Sequence, residues 1–184
     1  MVTFKGTTHL KQYMPQKPIK RGLKIWALAC SSTGYLLNFS VYEGKKASDE
    51  EGSLGEKTVL ELTKPFEGKY YCVYFDNFFT SSSPLSKLLD RKLFGCGTMR
   101  SNRKNFPNEL LVVDKKIEQG DSDTVGTSSI TVRQWKDSGK KCVLVVSTMH
   151  SVTEMSTVQR MTKEGVKVTL HCPKSIDDYN QNMG

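Results

Sequence analysis

The run Tyr70-Tyr71-Cys72-Val73-Tyr74-Phe75 constrains this chain most, because six large or apolar residues without a charge lead straight into Asp76-Asn77. A half-exposed strand alternates apolar with polar residues, so an uninterrupted run predicts a central strand covered on both faces. Asp76 then falls at its carboxyl end. In open α/β sheets that edge gathers ligands and catalytic groups, since the strand fixes the side chain while the next loop leaves it accessible. Asp-Asn after a strand is also ordinary turn chemistry, with side chains that hydrogen-bond the local backbone. Both readings of Asp76 stand on this stretch alone.

The residues after Asp76 fit an α/β rhythm. Thr80-Ser81-Ser82-Ser83 and Pro84 form a helix cap with proline in the first turn, and Leu85, Leu88 and Leu89 share a face up to about Arg91. Leu93 to Thr98 reads as a second short strand, and Met99 to Lys104 leaves it as a basic loop. Upstream, Leu23–Ala29 and Tyr35–Tyr42 are strand-like runs joined by Ser31-Ser32-Thr33-Gly34, a hairpin signal. Ser53 with Glu56 has the capping-box spacing, which predicts a helix from about Leu54 to Leu62 that stops before Pro65. Beyond Asn105 the pattern turns β-rich around Gly126–Trp135 and Lys141–Ser147, as in an inserted hairpin or small β-subdomain. Val152–Gly165, polar and rich in Ser and Thr, is expected to be a mobile loop. Val166–Leu170 is strand-like, and Lys174 to Met183 begins a helix.

With 184 residues the chain is long enough for one domain, or one domain with an insertion. Its 37% hydrophobic and 25% charged residues are those of a soluble globular protein. No apolar stretch approaches the span of a bilayer, and the first residues lack the apolar core of a signal peptide, so neither membrane insertion nor secretion is expected. Met1 to Gly6 is expected to be the tail of a strand that begins earlier. The five cysteines, Cys30, Cys72, Cys96, Cys142 and Cys172, are odd in number and widely spaced, as buried reduced thiols are. No pair has zinc-finger spacing.

The net charge of +8 points to a polyanionic partner, and its placement says more than its size. Met1 to Lys24 carries six Lys/Arg and no acid, and Arg91 to Lys104 carries five more, again with no acid. Pro15 and Pro18 stiffen the first of these into an extended loop that presents Lys17, Lys20 and Arg21. Such a stretch serves equally as a phosphate-binding surface or a solvated linker. Ser/His/Asp or Cys/His hydrolase chemistry needs a nucleophile context that the sequence does not display, and His9, His150 and His171 are scattered.

Five stretches together resemble the piggyBac family of transposases and their domesticated relatives. They are Tyr13-Met-Pro-Gln-Lys-Pro-Ile-Lys-Arg-Gly22, Asp76-Asn-Phe-Phe-Thr-Ser81, Gly97-Thr-Met-Arg-Ser-Asn102, Trp135-Lys-Asp137 and Tyr179-Asn-Gln-Asn-Met-Gly184, which stand in the family's order across essentially the whole chain. The resemblance implies a ribonuclease-H-like α/β core, a mixed sheet with flanking helices, carrying a β-rich insertion. Its parts would be a core over 1–104, the insertion over 105–165, and a return to the core with the last catalytic helix over 166–184. It implies a DDE mechanism, in which three acids hold two Mg²⁺ or Mn²⁺ ions for phosphodiester cleavage and strand transfer. Hard cations of this kind take carboxylate oxygens.

In that scheme Asp76 is the second catalytic aspartate and a metal ligand. The first and third lie outside the sequence, so this chain by itself is expected to be inactive and to hold no metal pair. Lys17, Lys20 and Arg21, with Arg100, Arg103 and Lys104, would contact the phosphates of double-stranded DNA at transposon ends and target. A homodimeric parent and a nuclear location are further implications of the family. Two alternatives belong to other classes: a domesticated, catalytically dead DNA-binding or chromatin-interaction protein, and a basic α/β interaction domain that does not bind DNA. Asp114, Asp121, Asp123, Asp177 and Asp178 read as solvated surface acids or helix-end charges.

Overall fold

The computed structural model describes residues 1–44, 52–103, 106–139, 141–162 and 164–183. The chain divides into two compact units, Met1–Pro65 and Phe66–Gly184.

In the first unit, β1 (Lys11–Tyr13) and β2 (Arg21–Leu23) pair antiparallel, with Tyr13 opposite Arg21. The connection that the two prolines stiffen is thus a closed hairpin turn, held by Met14 N–H on the Lys20 carbonyl at 2.8 Å. On the other side of β2, Val2 and Leu23 exchange both backbone hydrogen bonds at 2.9 Å. A second hairpin, β3 (Ile25–Ala29) with β4 (Leu36–Val41), turns through Cys30 to Gly34, where φ of +69° suits glycine. Helix α1 (Leu54–Thr63) packs on this hairpin. Ser53 caps the helix as the sequence predicts, with Ser53 Oγ accepting from Glu56 N–H at 3.2 Å. Val59 and Leu62 are its buried residues of largest apolar bulk, and Asn38 Nδ2 donates to the Leu62 carbonyl at 2.9 Å.

The second unit is built on a five-stranded mixed sheet. Strand β5 (Cys72–Phe75), helix α2 (Ser82–Asp90) and β6 (Phe94–Thr98) form a parallel βαβ unit, in register from Cys72 opposite Phe94 to Phe75 opposite Gly97. The chain then adds β7 (Ser122–Gly126), β8 (Thr131–Trp135) and β9 (Val143–Ser147), and the spatial order is β5-β6-β9-β8-β7. The β-rich stretch after Asn105 therefore extends the same sheet, with β9 antiparallel to β6. Leu85 and Leu88 of α2, both fully buried, cover one face. A Cβ on Gly95 would lie 2.6 Å from Leu85 Cδ2, so the missing side chain is what lets the helix sit this close. On the other face, helix α3 (Lys174–Met183) packs Ile176 into a cluster with Cys96, Trp135, Val145 and Cys172.

Three expectations are corrected. Among the described residues the Tyr70–Phe75 run is not a central strand covered on both faces: β5 begins only at Cys72 and lies at the edge of the sheet, and Tyr70 and Tyr71 are more than half exposed. Tyr70 takes a left-handed φ of +56°, which ends the extended run. Tyrosine reads as apolar in a pattern while tolerating water at its hydroxyl end. Val152–Gly165 is not a structureless loop, because Met155–Met161 forms β10, paired antiparallel along its length with β11 (Lys167–Pro173). Exposure alternates along β10, with Met155, Thr157, Gln159 and Met161 outward and Ser156, Val158 and Arg160 inward, where Val158 packs against the core cluster. Among the cysteines, all free, Cys96 and Cys172 are buried as expected, whereas Cys72 is exposed.

Candidate functional site

Asp76 follows β5 directly, at the carboxyl end of a parallel strand, and is exposed. Phe75 turns toward α2, since a Cβ on Gly95 or Gly97 would touch its ring. Strand alternation therefore puts positions 72, 74 and 76 on the α3 side. The carboxylate is also the head of a tight turn. Its Oδ1 accepts from Phe78 N–H at 2.8 Å, and its backbone carbonyl accepts from Phe79 N–H at 3.1 Å and Thr80 Oγ1 at 2.8 Å. Thr80 is buried, so this turn is pinned to the body of the unit. Turn chemistry and an available carboxylate thus coexist, because Oδ2 makes no hydrogen bond among the described residues.

Arg103 stands against the same turn. Its guanidinium donates to the carbonyls of Asn77 and Phe78, the latter at 3.0 Å. Nothing in sequence spacing signals this clasp, which joins positions 26 residues apart. Arg100 is exposed and, with Lys115 and Lys141, lines an open groove of about 1010 Å³ between the basic loop and the strands β8 and β9. Lys104 lies outside the described residues. In the other unit Lys17 and Lys20 are exposed on the β1–β2 turn and Arg21 is exposed on β2.

The remaining acids are more engaged than a solvated surface suggests. Asp114 accepts from Gln134 Nε2 at 2.6 Å, Asp123 from Val112 N–H at 2.7 Å, and Asp177 from Ser156 Oγ at 2.7 Å. Asp178 is hydrogen-bonded to His150 Nε2 at 2.9 Å and to Lys174 Nζ at 2.7 Å, while His150 Nδ1 lies 2.7 Å from Ser147 Oγ. This Ser-His-Asp chain leaves no mark in the sequence because its members come from β9, the next loop and α3. Ser147 is 1% exposed, so no substrate reaches it and the chain braces α3 against the sheet. Nearby, Tyr179 Oη and Thr98 Oγ1 are 3.4 Å apart, and the Tyr74 hydroxyl is pushed up to about 12 by burial.

No three of the described His, Cys, Asp and Glu residues converge as a metal cage. Asp76 offers one hard oxygen donor of the right kind, which does not suffice for an ion pair.

The family described as Transposase IS4 matches residues 1–184, the whole sequence. The chain belongs to this piggyBac-type transposase family. It is 34% identical over 196 aligned residues to human PiggyBac transposable element-derived protein 3, and 26% identical over 200 residues to human PiggyBac transposable element-derived protein 2. Each alignment covers all of this chain and 32% of the relative, so the chain spans about a third of their length. Among solved structures it is similar to a chain of a piggyBac transposase synaptic complex with hairpin DNA, with a TM-score of 0.79 and 29% identity over 98% of this chain and 36% of that one. The α/β architecture, a mixed five-stranded sheet with flanking helices, is that of the piggyBac transposase.

Proposed function

We propose that this chain is a central part of a DDE catalytic domain whose parent protein cuts and joins DNA, and that Asp76 is its second metal-binding carboxylate. The observation that carries the reading is the exposed Asp76 at the carboxyl end of β5, in a turn anchored by buried Thr80, within a fold similar to a piggyBac transposase complexed with DNA. Two divalent ions, Mg²⁺ or Mn²⁺, would supply a polarised phosphoryl oxygen and an activated oxygen nucleophile. The chain's own contribution is to aim one carboxylate oxygen while the other stays tied to Phe78 N–H, so that the ligand does not swing. Two further acids from the parent must join it.

Exposed Lys17, Lys20, Arg21 and Arg100 are the proposed phosphate contacts; they position DNA without reading its sequence. Arg103 is proposed to act on DNA only through the turn it clasps. In this reading residues 105–165 are the insertion, 166–184 return to the core through α3, and the parent works as a homodimer in the nucleus, where its DNA is. Among the described residues no helix is long and apolar enough to cross a membrane.

The test is Asp76→Asn in the longer reading frame that contains this sequence, scored by excision of a transposon and by binding to its ends. Loss of excision with binding kept is expected; retained excision removes Asp76 from the metal site. A second reading, a domesticated DNA-binding protein without catalysis, draws support from the two human relatives, both described as transposable element-derived. It predicts salt-sensitive DNA binding and no metal-dependent cleavage by the longer protein.

A further inference from the structure

We propose that the β1–β2 hairpin is a clamp for an unpaired base of a DNA strand, with Tyr13 as the stacking platform and Lys17, Lys20 and Arg21 on the flanking phosphates. The inference rests on the DNA-binding reading and adds to it a residue and a form of DNA. It begins with exposure, since Tyr13 is 69% exposed at the end of β1. Directly across the antiparallel ladder stands Arg21, also exposed. Residues opposite one another share a face, about 5 Å apart at Cβ, so both side chains leave the hairpin on the same side.

Exposure alone would not single out this ring. Tyr35, at 71%, is as open, yet no Lys or Arg occurs from Ile25 to Gly44. Tyr13 instead sits in a 24-residue stretch with six cations and no acid, the charge complement of a phosphate backbone. Other rings of this unit already face a cation of their own. Lys11 Nζ lies 5.7 Å from the Phe4 ring, and Lys24 Nζ lies 4.0 Å from Trp26 and 4.8 Å from Tyr42. For Tyr13 no ring contact is formed among the described residues. The hairpin is also set in advance: Met14 N–H bonds the Lys20 carbonyl at 2.8 Å, Lys17 N–H bonds the Met14 carbonyl at 3.1 Å, and Pro15 and Pro18 restrict the turn between them. Binding then costs little ordering of the loop.

The form of DNA is set by where base faces are available. In a duplex every face but the terminal ones is stacked, so cations serve and the ring gains nothing. On a single-stranded or frayed segment a base can lie on the ring while the adjoining phosphates meet the basic side chains.

The experiment compares two probes with this chain at low salt: a short blunt duplex, and the same duplex with a single-stranded overhang that carries a fluorescent base analogue. The overhang probe is expected to bind about tenfold more tightly, with quenching of the analogue on stacking. Tyr13→Ala should erase both the preference and the quenching while blunt-duplex affinity stays unchanged, and Tyr13→Phe should keep both. The Lys17→Ala, Lys20→Ala double variant should weaken both probes alike and lower the salt slope by about 2. Equal affinity of the wild type for the two probes, or an unchanged preference in Tyr13→Ala, overturns the clamp and leaves the DNA reading standing. Failure to bind either probe at low salt overturns the DNA reading and the clamp together.

Discussion

His150 Nε2 lies 2.9 Å from Asp178 Oδ2, with both residues largely buried between the end of β9 and helix α3. A carboxylate only accepts, so the imidazole donates from Nε2, and in the neutral ring Nδ1 accepts from Ser147 Oγ at 2.7 Å. Burial works against the charge on Asp178, but the hydrogen bonds from Lys174 and His150 outweigh it and hold the carboxyl below its ordinary value. A carboxyl depressed in the folded state adds stability above its unfolded value of about 3.9, and that stability is lost as pH falls through the lower folded value. Asp178→Asn is therefore expected to cost about 1–3 kcal/mol at neutral pH. The difference from wild type should narrow in acid below about pH 4. Urea unfolding at the two pH values measures it, and a gap that does not depend on pH would show that the ion pairing is not what holds α3.

Gly97 sits opposite Phe75 in the parallel register, and a Cβ there would lie 2.6 Å from the Phe75 carbonyl and also meet Thr80 Oγ1. Neither neighbour can withdraw easily, because one is backbone and the other is buried and bonded to the Asp76 carbonyl. Gly97→Ala should cost about 1–3 kcal/mol, as overpacking does. The distortion falls on the strand end that carries Asp76. Denaturant unfolding reads the first effect, and amide chemical shifts of Asp76 and Asn77 read the second.

Arg103 is expected to behave as a clasp. Removing it frees the carbonyls of Asn77 and Phe78, so in Arg103→Ala the amides of Phe78 and Phe79 should exchange about tenfold faster. The salt slope of DNA binding should hardly move. Arg100→Ala should show the opposite pattern, with exchange unchanged and the slope lowered by about 0.9. Equal slope losses in the two variants would return Arg103 to direct phosphate contact.

These residues also mark how far the sequence could be read. Local devices were legible: Ser53 caps α1, the serine and proline cluster falls where α2 starts although Ser81 makes no side-chain cap bond there, and Asp76 falls at a strand end, since each depends on neighbours a few residues away. Edge or centre was not legible, because the place of β5 in the sheet is decided by which strands join later, and aromatic tyrosines imitate a buried run. The ribbon of β10 and β11 was hidden for a related reason. A strand whose outward half is Thr, Gln and Met carries too little apolar signal until its partner supplies Leu170 and Val168. Long-range side-chain pairs such as Arg103 with Asn77 leave no trace in one sequence at all.

Four of the five thiols should separate by their surroundings when alkylated. Cys30 Sγ lies 3.2 Å from Ser32 Oγ, and side-chain hydrogen bonds from Ser32 and Thr33, in that order, lower its value to about 6. Cys96 and Cys172 are pushed up to about 12 by burial. Cys72 is exposed, yet partial desolvation and the Asp178 charge raise it as well. The thiolate is the reacting form, so at neutral pH Cys30 should label first, Cys72 should lag despite its exposure, and Cys96 and Cys172 should wait for unfolding. The rate at Cys30 should rise with pH to a plateau with its midpoint near 6, and Ser32→Ala should carry that midpoint toward the ordinary value of 9.0. Peptide mass spectrometry across a pH series gives all the rates at once. A Cys30 midpoint unmoved by Ser32→Ala would mean that the turn between β3 and β4 does not hold the hydroxyl against the sulfur.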